Sequence, residues 1–231
     1  VGDARVSLAL ADVDDHGAVG GWSELTTADV ATDRDADDRF AQLEAVAVDG
    51  AGVVWVLTEE SCWLGGVDVV RRSVVGTAQL DTASLPELHR SWSRPKASRG
   101  EGLALMRDGH VLVAKEKDPA GLVELAPRGD QPLGVSADTL LGPGEPFALL
   151  GEVLDAVAWW PLEGDAARTL HDLSDLATDD AGRLWLLSDQ STRLARIALP
   201  LEPGAGVELV EVLDLPSQVR KPEGLAFLPD G

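Results

Sequence analysis

EAVAVDGAGVVWVLTEE, residues Glu44–Glu60, recurs without gaps as EGLALMRDGHVLVAKEK at Glu101–Lys117, as SDLATDDAGRLWLLSDQ at Ser174–Gln190 and, over nine residues, as EGLAFLPDG at Glu223–Gly231. Three positions after the first residue of every copy stands an alanine (Ala47, Ala104, Ala177, Ala226), and eight positions after it a glycine (Gly52, Gly109, Gly182, Gly231). Each copy reads as a β-hairpin: an apolar run, a polar turn ending in Gly, and a second run rich in Val, Leu and Trp. Glycine suits a turn position that needs positive φ, where a Cβ would clash. An alanine held in the first strand of every copy points to a crowded place where equivalent backbones meet, and a central axis is such a place.

Repeat starts 57, 73 and 49 residues apart are too far apart for ankyrin-type or leucine-rich solenoids. They fit propeller blades of about 40 to 50 residues with insertions. The expected fold is therefore all-β, a propeller of about five four-stranded blades, with six as the alternative, occupying residues 1–231 as a single domain. A β-sandwich with similar hairpins would not need in-register repeats. Gly231 falls inside the turn of the fourth copy, so either the fragment is truncated or the alternating run Arg5–Ala11 closes the ring by joining the blade of Gly224–Leu228.

Composition agrees: 45% apolar residues, 24 Gly and 13 Pro describe a chain able to bury a core and too turn-rich for a helical bundle. Helix is expected only in short pieces, Leu85–Ser93 and Leu173–Leu176. No apolar run approaches the ~18 residues of a membrane span, and no charged-then-apolar leader opens the chain. Cys62 is alone, so an internal disulfide is excluded and a reducing compartment is compatible. A net charge of −21 argues against a nucleic-acid partner, whose phosphates need a basic footprint, and favours cations or basic partners.

Hairpin geometry predicts where the acids gather. Residues just before the first strand and just after the second share a face of the ring. Glu44, Glu101 and Glu223 hold the first place; Glu59, Glu116 and Asp189 hold the second; in the third copy Ser174 replaces the glutamate, with Asp175 beside it. This predicts a ring of carboxylates at one mouth of the central channel. Such a ring needs a bound cation such as Ca²⁺, protonation or basic neighbours, and Arg99, Lys115, Lys117 and Lys221 flank these positions. Upstream, Asp33, Asp35, Asp37 and Glu44 fall at positions 1, 3, 5 and 12 of an EF-hand-like loop, but Asp38 stands where that loop needs glycine, so a solvated acidic loop is the plainer reading. Asp12, Asp14 and Asp15 before His16 are a weaker acidic group. His16, His89, His110 and His171 show no ligand spacing. No G-x-S-x-G elbow, P-loop, G-x-G-x-x-G or H-E-x-x-H occurs. Trp55 and Trp185 fall at the same point of the second strand, where packing between blades is expected, and the adjoining Trp159 and Trp160 should face opposite ways.

The segments EGLALMRDGHVLVAKEKDPAGLVEL, DLSDLATDDAGRLWLLSDQSTRLARIAL and KPEGLAFLPDG resemble the SdiA-regulated propellers and the related "esterase-like activity of phytase" propellers, over residues 43–231. The E-G pairs are also similar to those of calcium-dependent lactonase and phosphotriesterase propellers. That likeness implies calcium ligation by Glu101 and Glu223, although the asparagines completing such a shell have no counterpart in a chain without asparagine. Two functions follow as expectations. One is a propeller that binds a small-molecule or protein ligand at the acidic mouth, with or without a divalent cation. The other is a metal-dependent hydrolase of a small ester, lactone or phosphoester, with Glu44, Glu101, Glu223 and Asp175 as metal ligands, Glu116 or Asp189 as base, and Lys115 orienting an anionic group.

Overall fold

The computed structural model describes residues 7–14, 19–26, 42–58, 61–94 and 98–227. The acidic loop Asp33–Asp38, Asp15, His16, Glu59 and the fourth-copy turn at Gly231 lie outside these residues, as does the side chain of Asp12.

Each of the first three repeats opens a four-stranded antiparallel meander. Blade 1 runs β3 (Leu43–Val48), β4 (Val53–Thr58), β5 (Trp63–Asp68) and β6 (Ser73–Asp81). Blade 2 runs β7 (Gly100–Leu105), β8 (Val111–Lys115), β9 (Gly121–Pro127) and β10 (Val153–Pro161), and blade 3 runs β11 (Asp175–Thr178), β12 (Leu184–Ser188), β13 (Arg193–Ile197) and β14 (Leu209–Asp214). The first strands β3, β7 and β11 lie side by side at the centre, and Ala47, Ala104, Ala177 and Ala226 all line one central cavity of about 670 Å³. The axis inferred from the repeated alanine is thus present. The turn glycines Gly52, Gly109 and Gly182 have φ of 77°, 75° and 70°.

Blade 2 shows why the strands alternate as they do. Leu103, Leu105, Val111 and Val113 point into a core shared with blade 1. Their neighbours Ala104, Met106, Leu112 and Ala114 point into a core shared with blade 3. A strand buried on both faces by this stacking carries no polar alternation, which is why Val111–Lys115 is buried throughout. At the rim, Val153–Asp155 of β10 pair in parallel with Gln79–Asp81 of β6, and Arg128 bridges Asp81 and Asp155.

The described residues contain these three complete blades, a separate two-stranded sheet of β1 (Ser7–Val13) with β2 (Val19–Thr26), and the segment Glu223–Phe227, which forms no ladder. The pairing expected between Arg5–Ala11 and Gly224–Leu228 is not among the ladders of the described residues, where β1 pairs with β2; Arg5, Val6 and Leu228 lie outside those residues. Helix α1 (Pro86–Trp92) stands where expected. Leu173–Leu176 is not helical: Leu173 N–H donates to Glu116 O and Ser174 N–H to Leu187 O, so the segment enters β11. A helix α2 (Gly164–Thr169) fills the preceding loop instead.

The E-G pair of the second copy has a packing cause. A Cβ on Gly102 would stand 2.6 Å from Leu176 N, 2.9 Å from Asp175 C and 3.0 Å from Asp175 Cα, all backbone atoms of the next blade. Gly102→Ala is expected to destabilise the fold by about 1–3 kcal/mol in denaturant unfolding, because two first strands must move apart. Unfolding at the wild-type midpoint would show that the blades give way freely.

Candidate functional site at the channel mouth

The repeated glutamates occupy β-bulges. Across β3 and β4 Leu43 pairs with Thr58 and Ala45 with Leu57, leaving Glu44 as the extra residue; across β7 and β8 Gly100 pairs with Lys115 and Gly102 with Ala114, leaving Glu101. A bulge re-aims its side chain out of the pleat. Both glutamates are half-buried at the entrance to their strands.

Around Glu101 the second and third repeats and the start of the fourth converge. Lys221 pairs with Glu223, and its pKa is raised by that hydrogen bond first, then by the charge of Glu223 and the charges of Asp189 and Glu101. Lys117 pairs with Glu116, which raises its pKa, with Asp172 and Asp118 adding to the effect. Of the acids predicted from hairpin geometry to share one face, Glu116 bonds Lys117 and Glu223 bonds Lys221, and the charges of Asp189 and Glu101 act on Lys221.

Asp172 is the residue that repeat alignment passes over, since it lies two positions before the copy begins. Its side chain is buried, at 1% exposure, where it accepts from Ser188 Oγ at 2.5 Å and from Gln190 N–H at 3.3 Å. The Asp189 carboxyl beside it is pushed up to about 6, first by its side-chain interaction with Asp172, then by burial and by the Asp172 charge; Lys221 and Lys117 pull the other way. Neighbouring carboxyls repel when both ionise, so Asp189 keeps its proton to a higher pH than an ordinary aspartate. A sequence signal existed in DLSDLA, where an acid precedes the strand just as a second acid follows its partner.

Two other expected site residues face elsewhere. Lys115 is 1% exposed, its Nζ donates to Lys117 O and to Pro119 O (3.1 Å), and burial lowers its pKa to about 8. Its ammonium closes the turn after β8 on two of that turn's own carbonyls. Asp175 lies beside the central cavity, but both oxygens accept backbone N–H groups, from Leu176 at 2.8 Å and Leu225 at 2.7 Å; burial pushes its pKa up to about 6 against these two bonds. Among the described residues no group of three or more His, Cys, Asp or Glu side chains is arranged to hold a metal ion.

Solved structures with a similar chain path include a putative 6-phosphogluconolactonase from Bacteroides uniformis (13% identity, 79% of this chain and 42% of that one, TM-score 0.40), virginiamycin B lyase from Staphylococcus aureus (11%, 75% and 42%, 0.40) and a streptogramin B lyase (14%, 91% and 63%, 0.40). The chain thus spans between two fifths and two thirds of the length of these structures. No curated protein matches the sequence significantly. The sequence profile of the SdiA-regulated family matches residues 22–231, within which lie the three blades and the mouth, and the chain belongs to the SdiA-regulated family.

Proposed function

We propose that the protein is a ligand-binding propeller whose mouth takes a small ligand carrying a cationic amine. The Asp172–Asp189 pair carries this reading: a buried acid stands beside a half-buried one whose pKa it raises to about 6, with the charges of Lys221 and Lys117 pulling that pKa back. Five carboxyl groups (Glu101, Glu116, Asp172, Asp189, Glu223) stand in this network against the two ammonium groups of Lys117 and Lys221. An amine would replace the proton of Asp189 and pair with its carboxylate, with the acid of Asp172 behind it.

A divalent cation is the competing occupant of the same mouth. Calorimetric titration with 1,4-diaminobutane and, separately, with calcium chloride tests the two, with melting followed in the presence of chelator. Saturable diamine binding that strengthens as pH rises from 5 to 7 supports the proposal, because the pair must lose its proton. Calcium binding lost in Glu101→Gln would replace the amine by the cation, and no heat from either would remove the mouth as a binding site for small cations.

The raised pKa of Asp189 favours hydrolysis of a small ester, lactone or phosphoester as a second reading. A carboxyl titrating near neutrality is what a general acid or base needs, with Asp172 holding it in place. Turnover of an aryl ester, abolished in Asp189→Asn, would establish it.

A further inference from the structure

We propose that Asp175 is a positioning residue for the mouth: together with Ser174 it latches the start of the fourth repeat to blade 3 and so holds Lys221 and Glu223 against Asp189 and Glu101. The inference rests on the mouth being the binding site. It reassigns Asp175, whose place in the repeat marks it as a metal ligand by sequence alone.

The geometry is specific. Leu225 N–H donates to Asp175 Oδ2 at 2.7 Å, and Ser174 Oγ donates to Pro222 O at 2.9 Å. These bonds flank Glu223 and Gly224 on either side, and Lys221 precedes them by one residue. Residues 222–227 belong to no strand, so the register that a ladder would give them comes from these two bonds and from the ring contact of Phe227 with Trp185, centroids 5.9 Å apart. The anchoring side is rigid. Asp175 Oδ1 is fixed by Leu176 N–H, Ser174 N–H is bonded to Leu187 O, and the Asp175 backbone is packed against Gly102 of blade 2. A carboxylate with one oxygen on its own strand and the other on the incoming segment is a clasp between two repeats. Asp175 carries no direct bond to Lys221 or Asp189, so it acts on them only by placing the segment.

The test is carboxyl ¹³C NMR of Asp189 against pH in the wild type, Asp175→Ala, Asp175→Asn and Lys221→Met. Lys221 pulls the Asp189 carboxyl down, so withdrawing it should raise the midpoint by about half a pH unit, the order expected of one exposed ammonium. Asp175→Ala is expected to give the same rise as Lys221→Met. Simple loss of the Asp175 charge would move Asp189 downward, so the sign separates placement from direct electrostatics. Asp175→Asn, which keeps an acceptor for Leu225 N–H, is expected to retain most of the wild-type midpoint. If Asp175→Ala does not fold, Ser174→Ala removes the second clasp bond with less disturbance and should give a smaller rise. An unchanged midpoint in Asp175→Ala or Ser174→Ala, with a rise in Lys221→Met, would overturn the latch and leave the mouth intact. An unchanged midpoint in Lys221→Met would overturn the charge network on which both readings stand.

Discussion

Asp49→Ala is expected to lower the stability of the fold by about 3 kcal/mol, near the upper end of single substitutions, and to lower Tm by about 6–12 °C for a chain of this size. The Asp49 carboxylate accepts from Ala51 N–H (2.9 Å) and Val53 N–H (3.0 Å) across the first turn, and from Trp55 Nε1 (3.2 Å) and Phe147 N–H (3.0 Å). Trp55 is 3% exposed and packs edge-on against Phe147 at 4.7 Å, so its indole N–H would be left buried with no acceptor. Asp179 repeats the device in blade 3, accepting from Ala181 N–H, Arg183 N–H, Arg183 Nε and Trp185 Nε1 at 2.7–3.1 Å. Burial pushes both carboxyls up, yet the donors outweigh it and hold both pKa values below the ordinary 3.8. A depressed pKa means that the stabilisation is present above the unfolded-state value and is lost as pH falls through the folded one. Acid unfolding below about pH 4 should therefore be shallower in Asp49→Ala than in the wild type, as pH-dependent urea midpoints would show. A variant as stable as the wild type at pH 7 would mean that the turn is held by the backbone alone.

Asp172→Ala is expected to weaken diamine binding at pH 7 by at least about tenfold, or 1.4 kcal/mol, since it removes the fully buried half of the pair. It also frees Ser188 Oγ and Gln190 N–H, so some loss of stability accompanies it. The pH dependence is the more specific consequence. Asp189 has a folded pKa of about 6, above its ordinary value of 3.8. A raised acid contributes stability that is full below the lower value and is lost as pH rises through the upper one. The wild type should therefore lose stability between pH 4 and about 6 through this group, opposite in sign to the Asp49 and Asp179 contribution, and Asp172→Ala should reduce that loss, leaving the part due to burial. Diamine affinity unchanged in Asp172→Ala would exclude the pair as the site.

The repeat made the fold legible because blade geometry is written in residues with no substitute: an alanine where first strands crowd the axis, and a glycine where the turn needs positive φ. The shared face of the acids is an inference from hairpin direction, and the charges of Glu101, Glu116, Asp189 and Glu223 each act on Lys117 or Lys221. What alignment could not give is orientation. Lys115 has the position of a mouth residue, but its long side chain reaches back to two carbonyls of its own turn. Asp175 has the position of a ligand, but two nearby N–H groups claim its oxygens. Asp172 lies outside the repeated unit and is brought in because Leu173 N–H bonds to Glu116 O of the neighbouring blade. Pairings between blades are set by packing that a single sequence does not spell out, and the same holds for the Asp–Trp staples, whose partner Phe147 is 98 residues from Asp49.

Carboxyl ¹³C NMR of the wild type across pH 3–8, with Asp189→Asn for assignment, reads directly the proton that Asp189 holds beside Asp172. The prediction is an Asp189 carboxyl titrating near 6, falling toward its ordinary value in Asp172→Ala. Titration of Asp189 near 4 in the wild type would mean that Asp172 does not raise it, and the mouth would then be a salt-bridged rim of the scaffold.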